Sequence, residues 1–176
     1  MIGALSNPGV KPAWLAEKAP PAGLEAFRLG VAGIAAEAIL WNGEAITTSF
    51  YLRLASAQGA DRETLGERLN DPETQFLPCK IGERVELLNL DWLSFLRVEG
   101  VLPEVGRREE LGAVRQPARV TVQSGYVLDG EFLYCLPAAR SRLSDFLNLA
   151  GERFVLFLAP AAVFYINRKA IVRIVP

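Results

Sequence analysis

The chain matches itself. Displacing the 176-residue sequence by 78 positions superposes Arg62 on Arg140, Leu65 on Leu143, Leu69 on Leu147 and Asn70 on Asn148. With no gap, the same displacement puts Phe76 on Phe154, Val85 on Val163 and Asn89 on Asn167. These seven identities fall within the 37 residues from Arg62 to Val98, where typical residue frequencies would give roughly three by chance. Apolar residues match apolar ones between them: Leu77 with Val155, Leu88 with Ile166, Leu93 with Ile171, Leu96 with Ile174. A repeat constrains the fold strongly, because both copies must adopt one topology.

Each copy divides into the same elements. A second pairing, at an offset of 87, matches ILWNGEAI (Ile39 to Ile46) with YVLDGEFL (Tyr126 to Leu133). Asn-Gly and Asp-Gly between apolar runs predict hairpins, since a type I′ turn needs positive φ at both central residues. The turns are therefore expected at Asn42-Gly43 and Asp129-Gly130, with about nine extra residues in the first copy at SAQGADRE (Ser56 to Glu63). A short helix follows each hairpin, Arg62 to Asn70 and Arg140 to Leu149, with two leucines four apart on one face. Two strands turning at Gly82-Glu83, then WLSFLRV, complete the first copy; Phe154 to Leu158, Val163 to Ile166 and AIVRIVP complete the second. Asn89 and Asn167 each precede the last strand, where an asparagine suits a tight turn.

The expected fold class is mainly β, with two tandem ββαββ units. Residues 1–22 are expected to form a proline-rich N-terminal arm (Pro8, Pro12, Pro20 and Pro21) that could dock through Trp14, 23–98 the first repeat unit, 99–118 a linker in which RREEL could form a short helix, and 119–176 the second unit. Five short twisted strands in such a length commonly close into a small barrel. SH3-like or Sm-like barrels, each with an inserted helix, are thus the leading expectation. A continuous sheet shared by both units, with helices on one face, is the alternative.

Composition narrows the chemistry. An apolar content of 51% with 22% charged residues supports a substantial core. A net charge of −1 supplies no bulk attraction to nucleic acid or anionic membranes. The absence of histidine removes the commonest general base, the commonest transition-metal ligand and every His-dependent triad. Cys79 and Cys135 lie in the apolar stretches FLPCKI and GEFLYCL without CxxC spacing. They are expected as buried, reduced thiols, and two cysteines without histidine cannot complete a usual zinc site. No P-loop, GxGxxG or G-x-S-x-G motif is present. The carboxylate pairs Asp145 with Glu152 and Glu63 with Glu67 lie in polar turns, where solubility accounts for them. The start of the chain lacks the basic and apolar regions of a secretory signal. FVLFLAPAAVFYI is broken by Pro160 and too short to cross a bilayer as a helix. No catalytic residue, metal or cofactor is expected, and the expected location is cytoplasmic, away from membranes.

Arginines are the remaining candidates. RQPAR places Arg115 and Arg119 four apart, a spacing with which two guanidiniums can grip phosphates bidentately. This R-x-x-x-R resembles the opening motif of PilZ domains, which bind cyclic di-GMP; the family's D/N-x-S-x-x-G motif has no counterpart in YVLDGEFLYC. NRKAIVR, containing Arg168, is the compact basic stretch that an RNA-binding barrel would use. The aromatics Phe50, Tyr51, Phe76, Phe95, Phe154, Phe157, Phe164 and Tyr165 alternate with apolar residues, which predicts core rather than a base-stacking surface. The leading expectation is a non-enzymatic protein-interaction module, a scaffold, adaptor or regulatory subunit. Its edge strands, such as AIVRIVP, invite a protein partner or self-association. The alternative is a barrel recognising a cyclic dinucleotide or RNA through Arg115, Arg119 and Arg168.

Overall fold

A computed structural model describes residues 31–53, 62–100, 102–136, 142–149 and 151–176. The proline-rich arm with Trp14, and residues 54–61, lie outside the described residues. The first copy runs β1 (Val31–Leu40), β2 (Ala45–Arg53), α1 (Leu65–Asn70), β3 (Phe76–Ile81), β4 (Arg84–Asn89), a 3-10 turn (Leu90–Trp92) and β5 (Leu93–Glu99). After α2 (Pro103–Glu110) the second copy repeats it: β6 (Val114–Val122), β7 (Val127–Tyr134), α3 (Leu143–Leu149), β8 (Phe154–Ala159), β9 (Ala162–Asn167), a 3-10 turn (Arg168–Ala170) and β10 (Ile171–Val175).

The protein is mainly β, with ten antiparallel strands in one sheet ordered β10-β6-β7-β8-β9-β5-β1-β2-β3-β4. Each copy supplies five contiguous strands, its last strand lying beside its first. The two sets join where β5 pairs with β9, Phe95 opposite Ile166 and Val98 opposite Val163. The sheet is thus shared by the units. The segment expected as a linker, 99–118, holds α2, which starts at Pro103, and the first half of β6. Pro103 suits that position because the first turn of a helix has no use for its missing N–H.

From the short helix onward the offset of 78 holds residue for residue, at the starts of both helices, all later strands and the 3-10 turns. Asn89 and Asn167 do the same work: each Oδ1 accepts a 3.0 Å hydrogen bond from the N–H two residues on, of Asp91 and Lys169, and opens the 3-10 turn. α1 begins with a reciprocal cap, in which Thr64 Oγ1 accepts from Glu67 N–H and the Glu67 carboxylate accepts from Thr64 N–H.

The second hairpin departs from expectation. Asp129 and Gly130 lie inside β7, and the chain turns at Ser124-Gly125. Gly125 has φ +88°, matching Gly43 at φ +86°. Three backbone bonds repeat across the two turns: Leu40 N–H to Glu44 and Val122 N–H to Tyr126, Gly43 to Leu40 and Gly125 to Val122, Trp41 to Trp92 and Gln123 to Ala170. These pairs stand 82 residues apart on the hairpin side, so the first copy carries four extra residues rather than nine. Gly130 has a different purpose. A Cβ there would collide with the Leu158 carbonyl and the Phe157 ring, because β8 approaches closely where it pairs with β7.

Two cores form on opposite sides of the central strands. The first gathers Phe50, Leu52, Leu65, Leu69, Leu77 and Leu96 with Phe154, Leu156 and Tyr165 of the second copy. The other gathers Val120, Phe132, Tyr134, Phe146, Phe157 and Ile166 with Ile39 and Phe95 of the first. The units are also tied by side-chain amides. Asn70 at the end of α1 grips the backbone of Phe154, Oδ1 accepting from its N–H at 2.7 Å and Nδ2 donating to its carbonyl at 3.0 Å. Buried Asn167 donates through Nδ2 to the Leu93 carbonyl at 2.9 Å. Asn70→Ala leaves both Phe154 backbone groups short of a partner, and the expected loss is about 1–3 kcal/mol, measured as a lowered midpoint in urea with an unchanged slope.

Candidate functional site

The structure gives each candidate arginine a partner within the chain. Arg119 lies opposite Asp129 on β7 and forms a bidentate pair with it, Nε and Nη2 to the two carboxylate oxygens at 2.6 and 3.2 Å. Arg115 bonds Glu109 of α2 through Nε at 2.9 Å and again through Nη2, and Glu131 of β7 through Nη1 at 3.0 Å. Hydrogen bonds donated to these carboxylates push both guanidiniums further above their ordinary range. Both pairs sit in water on the open face of β6, where such pairs add little to stability. Arg168 stands elsewhere, in the 3-10 turn before β10, and donates to the Leu147 carbonyl at 3.0 Å, one of the end carbonyls of α3. Three of the four carboxylates considered for acid–base work are also engaged. Glu67 closes the α1 cap, Glu63 accepts from Arg53 N–H at 2.8 Å, and Glu152 pairs with Arg108 at 2.9 Å.

One buried constellation escaped sequence reasoning. Glu104, in the first turn of α2, is buried; its Oε1 accepts from the Tyr165 hydroxyl of β9 and its Oε2 from Gly66 N–H of α1 at 3.2 Å. Burial, then the adjoining carboxylate, hold the Tyr165 hydroxyl far above the ordinary tyrosine range, so it stays a donor. Gly66 leaves the carboxylate its space, since a Cβ would stand 3.1 Å from Oε2. The sequence offered one hint: an acid next to the proline that opens a helix suits the helix dipole. Nothing in it pointed to Tyr165. A cavity of about 460 Å³ adjoins the pair, its described lining mixing apolar residues such as Leu52 and Leu65 with the charged Arg53, Arg62, Glu63 and Arg107. Each oxygen of Glu104 accepts one hydrogen bond, and no cysteine or serine is among the described lining residues. The cluster couples three elements mechanically.

The most unusual surface lies on β3 and β4. Among the described residues β4 pairs with β3 alone, and β10 with β6 alone. Phe76, expected in the core, is exposed, together with Val85 and Leu87 of β4 and Trp92 just beyond it. At the opposite edge, Val172 and Val175 of β10 are exposed. Cys79 is buried as expected, and burial pushes its thiol up, whereas Cys135 is exposed just past the end of β7, where the expectation failed.

No protein-family model, no curated protein and no solved structure matches this chain.

Two outcomes follow from these placements. Glu104→Ala strands the Tyr165 hydroxyl and Gly66 N–H in the interior and is expected to cost about 2–4 kcal/mol, while Glu104→Gln, which keeps an acceptor, costs about 1 kcal/mol; urea unfolding reads both. A thiol reagent added to the native protein should label Cys135 rapidly and reach Cys79 at the rate of unfolding, as mass spectrometry of the two peptides will show.

Proposed function

We propose that the protein is a non-enzymatic interaction module, a scaffold, adaptor or regulatory subunit, built from two tandem SH3-like or Sm-like small barrels. The strand order within each unit supports the barrel reading: an antiparallel run of four, then a 3-10 turn, then a fifth strand returning to the first. Each such five-strand group supplies most of one core, which residues of the other group complete.

The observation that carries the functional reading is the edge strand β4, whose six residues RVELLN expose Val85 and Leu87 beside Phe76 and Trp92. A strand with one neighbour offers a row of backbone donors and acceptors to a partner strand, and apolar side chains beside that row add binding area. The reading through arginines has less behind it. A phosphate at Arg115 or Arg119 would have to displace Glu109, Glu131 or Asp129, and Arg168 is engaged at α3.

Affinity capture from the native cell tests the proposal. The wild-type chain should retain a protein in stoichiometric amount, Val85→Lys/Leu87→Lys should lose it, and hydrogen exchange on the purified complex should protect the β4 amides. Reproducible turnover of a small substrate by the purified protein, or capture indifferent to the substitution, would overturn it.

A further inference from the structure

The junction inside the chain has a double at the two ends of the sheet. The pair that joins the units is β5 with β9. Advanced by 78 residues, β5 becomes β10; set back by 78, β9 becomes β4. The two edges of the sheet are therefore second copies of the two strands that already recognise each other at its centre.

Exposure shows what is missing at these edges. Phe154 is 1% exposed under the first unit, whereas its counterpart Phe76 is 52% exposed. Val163 and Tyr165 are 4% and 1% exposed, against 65% and 67% for Val85 and Leu87. The receiving side is open in the same way. Leu65 and Leu69 of α1 are buried against Phe154, Leu156 and Tyr165, while their counterparts Leu143 and Leu147 of α3 are half-buried. They border a groove of about 640 Å³ with Asn148 and Ile174, the counterparts of Asn70 and Leu96.

Polar groups follow the same rule. Asn70 grips the Phe154 backbone; Asn148 stands exposed beside the groove. Asn167 spends its Nδ2 on the Leu93 carbonyl of the first unit. Asn89 makes the same cap through Oδ1, and among the described residues its Nδ2 has no partner. Four of the seven identities in the repeat (Asn70, Phe76, Val85 and Asn89 with their counterparts) thus belong to the junction or to its unfilled double.

We propose that the occupant is a second copy of this chain: the β3–β4 face of one molecule seats in the α3–β10 groove of the next, β10 pairing antiparallel with β4. Transposing the central register places Arg173 opposite Leu88, Ile174 opposite Leu87 and Val175 opposite Glu86. Glu86 then lies diagonal to Arg173 on one face, an attractive cross-strand pair. Phe76 enters the groove and Asn148 holds its backbone. The contact is head-to-tail, so each chain presents one donor face and one acceptor face, and assembly proceeds until a ring closes or the chains run out.

This inference rests on the interaction-module reading and names its partner. Light scattering behind gel filtration tests it with the full chain. The wild type should run as an assembly of two or more 19.3 kDa chains. Val85→Lys/Leu87→Lys and Val172→Lys/Val175→Lys should each be monomeric. All four positions are exposed in the monomer, so each variant should keep the wild-type circular dichroism and the protection of Cys79. Mixed in equal amounts, the two variants should form a one-to-one dimer, because each keeps the face the other lacks. Asn148→Ala should weaken wild-type association about tenfold, the effect of losing hydrogen bonds worth roughly 1.4 kcal/mol. A monomeric wild type, self-association of either double variant alone, or a mixture that stays monomeric would overturn the inference. If a foreign protein is still captured through β4 in that event, the interaction-module reading stands without it.

Discussion

The hairpin of β8 and β9 is buried on both faces, and the rest of the molecule is arranged around it. Leu156, Leu158, Val163 and Tyr165 face the core of the first unit; Val155, Phe157, Phe164 and Ile166 face the core of the second. A strand covered on both sides has no polar face, which is why FVLFLAPAAVFYI reads as a nearly unbroken apolar run. The apolar run that could be mistaken for a membrane segment is a wall between two interiors, and no helix among the described residues is long and apolar enough to cross a bilayer. Neither core is complete without this wall, so the units are mutually dependent although each has its own five strands.

Hydrophobic burial alone would tolerate a slip of β5 along β9; the polar anchors do not. Asn70 fixes the start of β8, Asn167 fixes the start of β5, and Glu104 links α2 to Tyr165 on β9 and to Gly66 on α1. A shift of one residue would turn every side chain to the other face and strand these groups without partners. Their energetic contribution as hydrogen bonds is modest, and their contribution to a unique register is large.

Much of this was legible in the sequence because repeats transmit topology as well as letters. The gapless offset from Leu65 onward located both helices, the later strands and the tight turns at Asn89 and Asn167. The second hairpin was misplaced because glycine has two uses that look alike in sequence. Gly125 supplies positive φ, whereas Gly130 supplies clearance for the Leu158 backbone, and the Asp-Gly letters favoured the wrong one. Alternation of apolar residues could not say which strands of one copy would face the other, so exposed Phe76 was indistinguishable from buried Phe154. The arginines show the same limit. Their spacing is local, but Asp129, Glu131 and Glu109 reach them through strand pairing and helix packing.

The two-sided wall also has a consequence in time. Domains of a growing chain commonly fold from the N-terminal end as they emerge. Here the first core includes Phe154, Leu156 and Tyr165, so β1 to β5 cannot complete it until β8 and β9 have been made. The order of synthesis and the order of burial therefore run against each other in this chain.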